Sequence, residues 1–60
     1  MTPYQYVLRC RVERAKHLLC NEGLSLVQVA ALAGFCDQGH LARQFKRIVG
    51  VTPSGYRKGS

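Results

Sequence analysis

The chain is 60 residues long and 47% hydrophobic, with nine Lys and Arg against three Asp and Glu for a formal net charge of +6. That length allows one domain with a small core, and apolar residues recurring through periodic segments exclude a disordered chain. So basic a surface excludes indifference to polyanions, and nucleic acid, an anionic membrane or an acidic protein is the expected partner class.

Thr2-Pro3 reads as a helix start, Thr capping free amides and Pro accepting the first helical position. Leu8, Val12, Ala15 and Leu19 then recur on one face, widened by Leu18, with Arg9, Arg11, Glu13, Arg14 and Lys16 between them. This predicts an amphipathic helix over about residues 3–20, ended by Asn21 and Gly23 as left-handed residues. Ser25 caps a second, short helix carrying Leu26, Val29, Ala30, Leu32 and Ala33, which Gly34 closes. After a tight turn, Cys36 or Asp37 opens a third helix with Leu41, Phe45 and Ile48 on its apolar face and Gly50 at its end. Thr52-Pro53 repeats the opening device, and a last short helix is expected over 54–57. The predicted fold class is all-α, with three helices, a short fourth and no strand. One core is expected from Leu8, Val12, Leu19, Val29, Phe35, Leu41 and Phe45, with Tyr56 packed against it.

Two helices joined by a short glycine-containing turn, with small residues at their crossing and polar residues on the second, form the pattern of a helix-turn-helix. Ala30 and Gly34 permit the close approach, and Val29 and Ala33 bury the bracing helix. The outer face of the next helix is then free to enter a DNA major groove. On periodicity alone, a plain three-helix bundle fits equally well.

The ordered motifs are more specific. Ser25-Leu26-Val27-Gln28-Val29-Ala30, Gly34-Phe35, His40-Leu41-Ala42-Arg43-Gln44-Phe45-Lys46-Arg47, Gly50-Val51-Thr52-Pro53 and Tyr56-Arg57 together resemble the AraC/XylS family of bacterial transcription regulators. Upstream, Pro3-Tyr4-Gln5-Tyr6 and Arg11-Val12-Glu13-Arg14-Ala15 with Leu18-Leu19 resemble that family's linker helix. The resemblance implies a homeodomain-like DNA-binding unit occupying 1–58. Its linker helix spans 1–23, the helix-turn-helix 25–50 and the final helix 52–58, leaving 59–60 as a tail. It also implies the second of two reading units, so that the first unit and an effector domain are missing and the chain is a fragment.

Carried over by position, Gln38, Gly39, His40 and Arg43 are the base-reading candidates on double-stranded DNA. Gln pairs well with adenine and Arg with guanine, whereas Gly39 has no side chain to read with and departs from the family's usual polar residue, as does Cys36. Ser25, Lys46, Arg47, Arg57 and Lys58 are the phosphate candidates. Cys10, Cys20 and Cys36 are odd in number and form no CxxC pair, which reads as a reduced, cytoplasmic protein without a disulfide framework. No apolar run reaches the roughly 20 residues of a bilayer span, and no signal-peptide core follows Met1. His17 with Cys20, and Cys36 with His40, are the one conceivable zinc set, but their connecting spacing matches no zinc pattern, so no metal or other cofactor is expected. No nucleophile, base and orienter recur together, so an enzyme is not expected. The rival reading is an interaction module whose first helix docks on another regulator domain or on RNA polymerase; an exposed apolar strip on that helix would favour it.

Overall fold

The structure is a computed structural model and describes residues 2–59; Met1 of the expected linker helix and Ser60 of the expected tail lie outside the described residues. Four helices follow in order, α1 (Pro3–Leu19), α2 (Leu26–Ala33), α3 (Gln38–Val49) and α4 (Pro53–Gly59), with no strand among the described residues. The fold class is therefore all-α, as expected.

Local chemistry accounts for most of the boundaries. Thr2 Oγ1 accepts from the Gln5 N–H at 3.1 Å while the Thr2 N–H donates to Gln5 Oε1 at 3.0 Å, a reciprocal capping box that starts α1. Ser25 and Gln28 repeat it for α2, at 3.1 and 2.8 Å. Asp37, rather than Cys36, caps α3, its Oδ1 accepting from the His40 N–H at 2.7 Å. Thr52 Oγ1 accepts from the Gly55 N–H at 3.1 Å, and α4 runs further than 54–57 at both ends, starting at the buried Pro53 and closing on Gly59. Gly34 and Gly50, at φ 92° and 99°, are the left-handed residues that close α2 and α3.

The end of α1 departs from expectation. Neither Asn21 nor Gly23 is left-handed, and α1 stops at Leu19 with Cys20 still near helical geometry. Asn21 instead folds its side chain onto the turn, Oδ1 accepting from the Gly23 N–H at 3.0 Å. Local amides serve the His17, Leu18 and Asn21 carbonyls, the last from the Leu24 N–H at 3.1 Å, and a residue far along the chain adds to them. Arg57 of α4 donates Nε to the Leu19 carbonyl at 3.1 Å and Nη2 to the Asn21 carbonyl at 3.2 Å.

α1 packs against each of the other three helices, and α3 also packs on α2 and α4. The buried core comprises Leu8, Val12, Ala15 and Leu19 of α1, Val29, Ala30 and Ala33 of α2, Phe35 of the turn, and Leu41 and Phe45 of α3. All seven core residues read from the stripes are in it, with Leu18, Leu24, Leu26, Ile48, Val49 and Tyr56 half-buried around them. Of the apolar residues read for α2, Leu32 is left outside, exposed to solvent as Val27 also is. α1 and α2 pack together, and the small residues Ala15 of α1 and Ala30 and Ala33 of α2 are all buried in the core. Tyr56 closes the far side, its ring meeting Phe45 edge-on at 5.5 Å.

Candidate nucleic-acid interface

The turn between α2 and α3 sets the attitude of α3. Gly34 takes the left-handed conformation, and the Phe35 N–H donates back to the Ala30 carbonyl at 2.9 Å, so the chain reverses within one residue of the end of α2. Phe35 is thereby driven into the core. From α1, the Arg11 side chain lies over Gly34, where a Cβ would meet its Nε at 3.2 Å, and Arg14 Nε donates to the Leu32 carbonyl at 3.2 Å. Two cations thus sit at the negative end of α2, a favourable placement against its dipole.

With its apolar face locked by Leu41 and Phe45, α3 turns the rest of its surface outward. Gln38, Gly39 and Arg43 are exposed and His40 is half-buried, so the four base-reading candidates occupy the first two turns of α3. They are not equivalent. The His40 ring folds back on the turn, Nδ1 accepting from the Cys36 backbone N–H at 3.3 Å while the ring meets Phe35 edge-on at 5.3 Å. Gly39 also has a positive role that reading by residue type misses. A Cβ there would meet Asp37 Oδ1 at 3.3 Å, tighter than an ordinary contact, and Arg43 Nη1 at an ordinary 3.5 Å, so the bare glycine leaves room for the carboxylate that caps α3, with the Arg43 guanidinium lying alongside.

Arg43, Lys46 and Arg47 line one shallow depression with Ala42 and Thr52, bringing three cations of α3 onto a common surface. Lys46, Arg47 and Lys58 are exposed, as is Ser25 at the start of α2. Arg57 is different. Its guanidinium closes the end of α1, a structural use that its place in a Tyr-Arg motif gives no means of foreseeing.

A second concavity of about 530 Å³ lies between the start of α1 and α3, lined by Tyr4, Gln5, Arg9, Gln44 and Arg47 among others. Gln44 Oε1 is buried there without a hydrogen-bond partner among the described residues. Nothing in the sequence pattern marks Gln44, because its neighbours in space come from α1. Cys10, Cys20 and Cys36 are free and exposed, and among the described residues no three His, Cys, Asp or Glu side chains gather where a metal ion could sit. His17, Cys20, Cys36 and His40 thus form no common site.

With this geometry, the chain matches a family model described as a helix-turn-helix domain over residues 1–59. The chain belongs to the AraC-type helix-turn-helix family. A Photobacterium leiognathi protein named "Probable transcriptional regulator LumQ" is 42% identical to this AraC-type domain over 57 residues, covering 95% of the chain and 23% of the relative. The HTH-type transcriptional activator RhaS of Yersinia pestis (strain Pestoides F) is 39% identical over 57 residues, 95% of the chain and 21% of the relative. RhaS of Escherichia fergusonii is 36% identical over 59 residues, 98% of the chain and 21% of its own length. The AraC-type domain therefore spans between a fifth and a quarter of these relatives. No solved structure matches it. Among the described residues no helix is long and apolar enough to cross a membrane.

Proposed function

We propose that this domain binds double-stranded DNA as the second reading unit of a bacterial AraC/XylS-type transcription regulator acting in the cytoplasm, with α3 in the major groove. The observation that carries it is the outward face of α3, where Arg43, Lys46 and Arg47 share one surface directly beyond the helix start held by the Gly34-Phe35 turn. Gln38, His40 and Arg43 are the side chains assigned to base edges, and Gly39 presents only its backbone there while leaving the Asp37 cap uncrowded. Lys46, Arg47, Lys58 and Ser25 are assigned to phosphates, Ser25 through the free amides of α2 as well as its hydroxyl. Arg57 keeps its clamp on α1 and contributes only through its charge. A first reading unit and an effector domain complete the parent protein in this reading.

Counterion release makes the test quantitative. Engagement of about three or four phosphates predicts that the logarithm of the binding constant falls with log salt at a slope near roughly −3, with affinity in the non-specific range of about 10⁻⁴–10⁻⁶ M. Fluorescence anisotropy at two salt concentrations measures both. Lys46→Ala is expected to weaken all duplexes alike, whereas Arg43→Ala abolishes preference at one base pair, worth roughly 1–3 kcal/mol. Salt-insensitive binding, or none at low salt by a folded chain, refutes the proposal.

One observation favours a second reading. Tyr4, Tyr6 and Val7 stand exposed on the first turns of α1, Tyr4 at 61% and Tyr6 at 62%. Tyr4 and Val7, three residues apart, share one face, which suits docking on another domain of the regulator or on RNA polymerase and is compatible with DNA binding through α3.

A further inference from the structure

We infer that His40 is held as a single tautomer that confronts DNA as a hydrogen-bond donor, so that this position of α3 selects an acceptor atom on the duplex. The inference rests on the DNA-binding reading of α3 and specifies what one of its residues recognises.

The tautomer follows from the turn. A backbone N–H can only donate, and the Cys36 N–H points at His40 Nδ1 at 3.3 Å. Nδ1 must therefore keep its lone pair, and in a neutral imidazole the proton is then on Nε2. Two further contacts hold the ring and its residue in place: the edge-on packing on the buried Phe35 at 5.3 Å and the 2.7 Å bond from the His40 N–H to Asp37. Nε2–H lies on the ring edge opposite Nδ1 and makes no hydrogen bond within the described residues, on a side chain that is half-exposed. A donor without a partner among the described residues, on a half-buried side chain in the first turns of the reading helix and fixed from behind, is preorganised for an acceptor.

The chemistry sorts the duplex. Purine N7, guanine O6, thymine O4 and phosphate oxygens accept, while the amino groups of cytosine and adenine only donate and are not read by this nitrogen. Asn at this position keeps an acceptor near the place of Nδ1, and so the brace on Cys36, but is too short to carry a donor out to the place of Nε2. His40→Asn therefore separates recognition from the turn's structure.

Two measurements test the inference on the whole chain. Nitrogen-15 NMR of the imidazole in the free protein is expected to show a protonated Nε2 and a bare Nδ1; the opposite tautomer, or an even mixture, overturns the inference whatever the DNA does. Anisotropy titrations then use a duplex selected by the chain from a random library, remade with single acceptors deleted. The replacements are 7-deazapurine for N7, 2-aminopurine for guanine O6, 5-methyl-2-pyrimidinone for thymine O4 and methylphosphonate for a phosphate oxygen. At one position the deletion is expected to weaken the parent roughly three- to tenfold, as for one hydrogen bond, and to leave His40→Asn indifferent. The deletion that does so tells base edge from phosphate. If every deletion affects parent and variant alike, the inference is wrong while DNA binding stands. If the chain shows the expected tautomer yet binds no duplex at low salt, the DNA-binding reading falls and takes the inference with it.

Discussion

Arg57 offers the sharpest test of how this molecule uses its positive charge. Replacing it with Ala removes two charge-assisted hydrogen bonds, 3.1 Å to the Leu19 carbonyl and 3.2 Å to the Asn21 carbonyl, and leaves both carbonyls without that donor. A hydrogen bond to a charged group contributes about 1.5–3 kcal/mol, but the Asn21 bond is exposed and the Leu19 bond only partly buried, so water recovers much of this. A net loss of about 1–2 kcal/mol is expected. Total stability for this length is roughly 3–9 kcal/mol on a per-residue scale, so the variant should still fold. A loss of that size in so small a domain lowers the melting temperature by about 5–15 °C. A circular-dichroism melt measures the shift, and anisotropy on the same protein measures the salt slope. Because Arg57 is assigned to the clamp, the slope is expected to change by much less than the roughly one unit that losing a phosphate contact produces. An unchanged melt together with a slope shallower by about one would refute the clamp and return Arg57 to the DNA backbone.

Phe45 is fully buried with Tyr56 edge-on against it, and Phe45→Ala is expected to cost about 3–5 kcal/mol, half or more of the stability available to so short a chain, and to lower the circular-dichroism melting temperature steeply; a parental melt would contradict the packing. Gly34→Ala places a Cβ at φ 92° and 3.2 Å from Arg11 Nε, and is expected to destabilise by about 1–2 kcal/mol or more in a urea titration, whereas a gain in stability would contradict the turn geometry. Because the helices are closed by caps and apolar packing, chelator should leave the melting temperature where it is, and stoichiometric zinc on elemental analysis with loss of helix on chelation would reverse that view.

Much of this was legible because the deciding interactions are local. Thr2-Pro3, Ser25 with Gln28, Asp37 and Thr52-Pro53 act over three residues, and the apolar stripes repeat at helical spacing, so helix starts and core follow from the chain alone. The end of α1 differs from the pattern because Asn21 closes the turn with its side chain instead of a left-handed backbone, and because the Leu19 carbonyl is served by a residue 38 positions away, which no local pattern encodes. The site divides the same way. Resemblance picks out Gln38, Gly39, His40 and Arg43, yet the folding back of His40 and the space Gly39 leaves for the Asp37 cap depend on the turn's three-dimensional course. Net charge misleads for a related reason. Arg11, Arg14 and Arg57 lie against helix ends, so formal charge overstates what is free for a polyanion.

The packing of α1 against all three other helices has a mechanical consequence. Its 17 residues make a rod of about 25 Å, and four of them are cemented into the same hydrophobic mass that carries α3. There is no joint between the rod and the reading helix. A body attached at the Thr2 end would therefore turn as one piece with α3, and a twist of a few degrees at one end would arrive undamped at the other. Orientation, and not reach, is the quantity such a rod transmits: fixing the direction of its free end fixes the angle at which α3 meets a groove.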